Sequence, residues 1–449
     1  MKVLLISANT LREPYPVYPL GLDYVAGAIA GAHQVRCLDM NSLGGEDGLP
    51  CVVRDFDPDM IAISLRNIDN TDAAHPQEFT APYQQLTRAV RRCTTAPIVL
   101  GGTGFTLFAD EIMRLLEADY GIVGEGEHLG MLLQALEQGE DPAGSPGVIV
   151  GQSSVPNPTP WPQAVARRFD PQAAHLDFYL RNGGMLNLQT KRGCPFQCVY
   201  CSYPYIEGRT LRLAPPDEVA RTAVELQQAG ARYLFITDSA FNADSTHSLA
   251  VAKAFKKNGL TIPWGGFFAP VPMPSDYFKV LADCGLKHVE FGTESLCDSV
   301  LAAYRKPFAR RHVFAAHQAA NVAGLHVAHY FLFGGPGETA QTIADTFSHM
   351  ETLERTVLFL FSGMRIYPHT SLHEIALQQG QLSINQSILE PVFYQPPTIG
   401  LAEIARLVEG RAQGKDNWVR AAGGDHTNQI LNRLYRRGRT GPLWEHLIR

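Results

Sequence analysis

Three cysteines in one short turn constrain this chain more than any other feature. They are Cys194, Cys198 and Cys201, in Lys-Arg-Gly-Cys-Pro-Phe-Gln-Cys-Val-Tyr-Cys. Iron–sulfur clusters are held by Cys thiolates, and a four-iron cubane needs four ligands. Three clustered thiolates therefore leave one iron open for a small molecule, as a catalytic zinc keeps one free position. A structural zinc site would bring a second ligand pair at a regular distance, and the sequence has none. A disulfide would strand the third thiol. Pro195 and Phe196 argue against a regular helix, so the thiols are expected on a loop delivered by a strand over Asn187–Arg192.

After this loop, apolar runs alternate with helical stretches. Strands are expected at Tyr233–Thr237, Trp264–Phe268, His288–Gly292, Val327–Leu332 and Leu358–Met364. About six βα units result, and such barrels carry their sites at strand carboxyl ends. Before the loop, residues 1–137 alternate in the same way. Strands are expected at Val3–Ser7, Gln34–Asp39, Met60–Ser64, Pro97–Leu100 and Tyr120–Val123, which reads as a doubly wound parallel sheet. Several of its strand ends are glycine-rich: Gly101-Gly102-Thr103-Gly104 and Gly124-Glu125-Gly126-Glu127. Glycine lets backbone approach a ligand closely.

The fold class is thus α/β. A Rossmann-like doubly wound domain (1–137) leads through a Pro/Gly/Ser-rich linker (138–182) to a partial (β/α)6 TIM-type barrel (183–382). A helical segment (383–449) follows, expected to cap the open side of the barrel.

The Cys spacing resembles that of radical SAM enzymes. The glycine-edged first domain, with Pro19-Leu20-Gly21-Leu22-Asp23, resembles the cobalamin-binding domain that precedes many of them. The resemblance implies a 4Fe–4S cluster on Cys194, Cys198 and Cys201, S-adenosylmethionine (SAM) on its open iron, and cobalamin in the first domain. Tyr200 would lie beside adenine. Asp238 would meet the methionyl end of SAM, or else cap the next helix. Glu294 would bind ribose hydroxyls, because a carboxylate accepts two hydrogen bonds. Gly334 and Gly335 would let backbone approach adenosine, and Arg365 would sit at the last barrel strand's turn. Gly101, Gly102, Gly124 and Glu125 would line the cobalamin site.

The Asp-x-His-x-x-Gly motif, whose His ligates cobalt from below, is absent. Arg66 or Asn67 would then face the cobalt side of the corrin without bonding it; the alternative is an Arg66–Asp69 pair that orders the loop.

The implied activity is reductive SAM cleavage serving cobalamin-dependent methyl transfer to an unactivated carbon or phosphorus of a small molecule. Alternatives are 3-amino-3-carboxypropyl transfer to a soft nucleophile such as arsenic, a cobalamin-assisted rearrangement, and a non-catalytic cobalamin or redox sensor. A flavodoxin or ferredoxin is the expected reductant. A net charge of -6 gives no reason to expect nucleic acid. No apolar run approaches the roughly 18 residues of a membrane span, and the scattered remaining cysteines suit a reducing cytoplasm.

Overall fold

The computed structural model describes residues 1–12, 15–161, 167–420 and 424–448. Part of the expected linker, residues 162–166, lies outside the described residues.

The first sheet contains β1 (Lys2–Ser7), β2 (Gln34–Asp39), β3 (Met60–Ser64), β4 (Ile98–Gly101), β5 (Tyr120–Ile122) and β6 (Val148–Val150). Their order is β2-β1-β3-β4-β5-β6. Strand β1 shows why the sheet is covered on both faces. Its Leu4 and Ile6 pack with Val53, Phe56 and Leu86 on one side. Its Val3 and Leu5 pack with Leu22, Ile29 and Leu132 on the other. A run apolar at every position is what a two-sided parallel strand requires. The linker is less of a connector than expected, because Val148–Val150 pairs antiparallel with β5 and closes the sheet edge. Three consecutive β-branched residues suit that role.

The second sheet contains β7 (Met185–Leu188), β10 (Tyr233–Ile236), β11 (Trp264–Phe268), β12 (Leu286–Glu294), β13 (His326–Phe333), β14 (Thr356–Ser362) and β15 (Trp418–Arg420). The order is β15-β14-β13-β12-β11-β10-β7, parallel throughout. A short antiparallel ribbon, β8 (Lys191–Arg192) with β9 (Arg212–Leu213), frames the cysteine loop. The tail corrects the sequence reading: it is not purely helical, since its β15 pairs with β14 as a seventh barrel strand. Only three residues long, that strand carries too little periodicity to stand out.

Buried polar contacts weld the two sheets together. Arg167 pairs with Asp23 at 2.8 Å and donates to the Asn187 carbonyl at 2.7 Å. Tyr179 donates to Asp39 at 3.0 Å. Arg365, just past β14, pairs with Asp69 of the loop after β3 at 2.9 Å. No helix among the described residues is long and apolar enough to cross a membrane.

Candidate active site

The cysteine loop starts at Gly193, whose φ of +87° is a left-handed conformation that favours glycine. A Cβ there would lie 2.2 Å from the Thr210 carbonyl oxygen. The loop is pinned from two further sides. Glu207 accepts from the Gly193 N–H at 3.0 Å, and the Val199 N–H donates to the Tyr304 carbonyl at 3.1 Å. All three thiols are free. Burial, then the neighbouring Cys198, pushes the Cys201 thiol up to about 12, and Cys198 is raised as well, again chiefly by burial. Crowded thiols that resist ionisation alone are what a cationic iron centre would convert to thiolates. Among the described residues no His, Cys, Asp or Glu group is gathered tightly enough for one metal ion.

Beside the loop lies a charged trio. Tyr200 donates to Glu294 at 2.7 Å, and the Lys306 ammonium donates to Glu294 at 3.3 Å and to the Tyr200 hydroxyl at 3.2 Å. Burial lowers the Lys306 pKa, but the Glu294 carboxylate and the Cys198 sulfur outweigh it and hold the ammonium above its ordinary value. Glu294 ends β12 with φ +64°, where the pairing with β13 slips by one residue. A non-glycine residue in that region is sparsely populated, and such strain clusters at functional sites. The second Glu294 oxygen has no protein partner among the described residues. Tyr200 and Glu294 were expected here; Lys306 was not. It follows the short helix Asp298–Ala303, and no spacing rule links it to the cysteines.

Four other expected site residues already have partners within the protein. Asp238 accepts from the Thr190 N–H at 2.7 Å and from Lys191 at 2.7 Å, and both charged side chains are 1% exposed. It does not cap the next helix either; Asp244 does. Gly334 and Gly335 turn their N–H groups to the buried Glu338 carboxylate, and a Cβ on Gly335 would strike Tyr304 and Met364. Their close approach is to protein. Arg365 is consumed by Asp69 and by the carbonyls of Ile366 and Ile388, each at 2.7 Å. The Arg66–Asp69 alternative fails for the same reason.

In the first domain, a cavity of about 210 Å³ runs between the sheet face and the helices Leu20–Ile29 and Leu129–Gln138. Leu5, Val99 and Ile122 form its apolar wall, and Gly101, Gly102, Gly124 and Glu125 stand at its mouth. Gly102 has φ +99°, and a Cβ would lie 2.7 Å from the Leu65 carbonyl oxygen. Glu125 is a strut at that mouth. It binds Arg192 at 2.8 Å and Arg212 more closely, and accepts from the Trp161 N–H at 3.1 Å. Burial would raise its carboxyl, but the two guanidiniums hold it below the ordinary value. Arg66 is exposed and Asn67 partly so. The Arg66 charge is felt at Tyr15 and Tyr203, against the dominant effect of burial.

The comparisons agree with this division. Residues 188–350 match the radical SAM superfamily and residues 7–133 match the B12 binding domain. The chain is 25% identical to tryptophan 2-C-methyltransferase of Streptomyces laurentii, over 84% of this chain and 74% of that one. It is 23% identical to cytidylyl-2-hydroxyethylphosphonate methyltransferase of Streptomyces wedmorensis, over 91% and 87%. Its fold matches the radical S-adenosylmethionine methyltransferase TsrM of Kitasatospora setae, solved with cobalamin and a 4Fe–4S cluster. That match has a TM-score of 0.87 at 21% identity and covers 99% and 97% of the two chains. With both domains matched in order, and with the cysteine loop and the glycine-edged cavity where each domain requires them, the chain belongs to the radical SAM enzymes that carry an N-terminal cobalamin-binding domain.

Proposed function

We propose that this protein is a cobalamin-dependent radical SAM methyltransferase acting on a small molecule in a biosynthetic pathway. The observation that carries the reading is the pairing of a three-thiol loop at the mouth of a parallel barrel with a glycine-edged cavity in the domain welded to it. The named relatives are methyltransferases of small molecules, which supports methyl transfer over the other outcomes.

Cys194, Cys198 and Cys201 would hold the 4Fe–4S cluster, and the cavity with Gly101, Gly102 and Gly124 would take cobalamin. When bound, these groups with SAM supply one-electron chemistry and a methyl-carrying cobalt. The chain positions and shields. Glu294 offers its free oxygen to ribose hydroxyls, with Tyr200 and Lys306 fixing the carboxylate. Lys306 also puts a cation beside the sulfurs, which favours electron entry into an anionic cluster. Arg66 or Asn67, in the loop after β3, would face the cobalt side of the corrin without bonding it. An oxygen-sensitive cluster suits the cytoplasm, with a flavodoxin or ferredoxin as reductant.

The test is anaerobic reconstitution with iron, sulfide and hydroxocobalamin, followed by SAM and a strong reductant, with products read by mass spectrometry. 5′-Deoxyadenosine, S-adenosylhomocysteine and retained corrin are expected. Methylthioadenosine in place of 5′-deoxyadenosine would overturn methyl transfer in favour of aminocarboxypropyl transfer.

A further inference from the structure

The inner face of the barrel carries a group of aromatic rings that the site described above does not use. Alternation along each strand decides which side chains face inward. In β11, Trp264 and Phe268 pack outward among the helices, so Phe267 faces the lumen. Strand β11 is central, with β10 and β12 on either side. Even so, Phe267 is 37% exposed. Its exposed face therefore looks into an open interior.

The rings around it form a continuous wall. Phe267 meets Phe235 edge-on at 5.1 Å and Tyr330 at 6.0 Å. Tyr330 stacks on Phe359 at 4.8 Å and lies nearly parallel to Phe361 at 6.1 Å. Strand register puts Phe267 opposite Glu290 and Tyr330 opposite Phe359.

The floor is closed and fixed. Glu290 accepts from Tyr330 at 2.7 Å and from the Trp444 indole N–H at 2.9 Å, and it is 1% exposed. Trp444 comes from the tail, in the 3-10 turn Trp444–Leu447. Tyr15, from the first domain, packs against Tyr233 and Phe235. Among the described residues no Lys or Arg lies over Phe235, Phe267, Tyr330, Phe359 or Phe361; the Arg66 charge reaches only the Tyr15 edge of the group. Glu290 is sealed behind Tyr330, whose hydroxyl donates to it.

We propose that this chamber receives the substrate, and that it selects a flat, uncharged, aromatic group packed on Phe267 and Tyr330, with Glu290 as a positioning residue that locks the Tyr330 ring. Ring faces offer stacking that a saturated group cannot reproduce. An anionic phosphonate would find no cation over the rings of Phe267 and Tyr330 and would lose its hydration there. This inference rests on the methyl-transfer reading for the word substrate, but its evidence is a binding surface.

The experiment is equilibrium dialysis on the full reconstituted chain, without SAM, using 2-naphthol, its saturated analogue 2-decalol, and methylphosphonate. We expect 2-naphthol to bind at least tenfold more tightly than either comparator, and Phe267→Ala to weaken it tenfold or more. Phe267→Leu, which keeps most of the volume, should fall between, with an unchanged melting temperature as the folding control. Equal affinity for 2-naphthol and 2-decalol, tighter binding of methylphosphonate, or no effect of Phe267→Leu would overturn the inference. The wild-type ranking stands even where Phe267→Ala does not fold. Because no turnover is needed, selective binding with no S-adenosylhomocysteine in the companion assay would sink methyl transfer and leave the chamber. S-Adenosylhomocysteine with no selective binding would do the reverse.

Discussion

The two domains meet at strand carboxyl ends, and both place buried charge there. The barrel pairs Asp238 with Lys191 and Glu294 with Lys306, and the first domain pairs Asp23 with Arg167, Asp69 with Arg365, and Glu125 with Arg192 and Arg212. The first domain differs in what its glycines do: Gly101, Gly102 and Gly124 line an apolar cavity, with Arg66 left exposed, whereas Gly334 and Gly335 turn to the protein's own Glu338. A charged residue at a strand end is therefore weak evidence for a ligand, because a buried charge must first find a partner in the protein. A glycine with positive φ and no room for a Cβ is stronger evidence for a fixed loop shape.

The largest expected effect tests the buried charges. Asp238→Ala leaves Lys191 uncompensated at 1% exposure, and Arg365→Ala does the same to Asp69. Each should lower unfolding free energy by about 3–5 kcal/mol in denaturant titration. A loss under 1 kcal/mol in either would show that buried charge does not hold that edge. Next is Gly102→Ala, which combines φ +99° with a 2.7 Å approach to the Leu65 carbonyl. It should cost about 1–3 kcal/mol and reduce corrin retained after gel filtration while sparing cluster iron. Equal loss of both cofactors would show that the edge is not specific to the first domain.

A smaller effect is pH-dependent. Burial, resisted by hydrogen bonds from the Gly334 and Gly335 N–H groups and Tyr304, raises the Glu338 carboxyl to about 7 from 4.5. The folded protein then keeps a proton that the unfolded chain releases. The resulting stability is complete below about pH 4.5 and is lost as pH rises through 7, amounting to at most roughly 3 kcal/mol. Glu338→Gln should flatten the fall of the calorimetric melting temperature between pH 5 and 8. An unchanged slope would mean that Glu338 is ionised when folded. The smallest structural effect should come from Arg66→Ala, within about 0.5 kcal/mol of wild type. If its corrin content and methyl transfer are also unchanged while uncoupled SAM cleavage continues, Arg66 has no role at the cobalt face.

Much of this was legible in the sequence, for reasons the structure makes plain. Five strands of the first sheet fall within a few residues of their expected places, because two-sided burial writes itself as a continuous apolar run. The cysteine loop was legible because its three cysteines are neighbours in the sequence. Lys306, Arg212 and Tyr15 were not, because each reaches the site from a distant segment and carries no periodic signature. Asp238, Gly334, Gly335 and Arg365 lie at strand ends as expected, and each has partners within the protein that the sequence did not show. Sequence position shows which edge a residue occupies; only packing shows whether its charge is already spent.

The Arg365–Asp69 pair joins residues 296 positions apart. During synthesis the first domain emerges long before the arginine that closes its loop. Domains generally fold as they appear, the earliest first, so this one must wait with a buried acid unmatched and one wall of its neighbour missing. The order of assembly follows: the loop after β3 reaches its final pairing only once the last part of the barrel has been made.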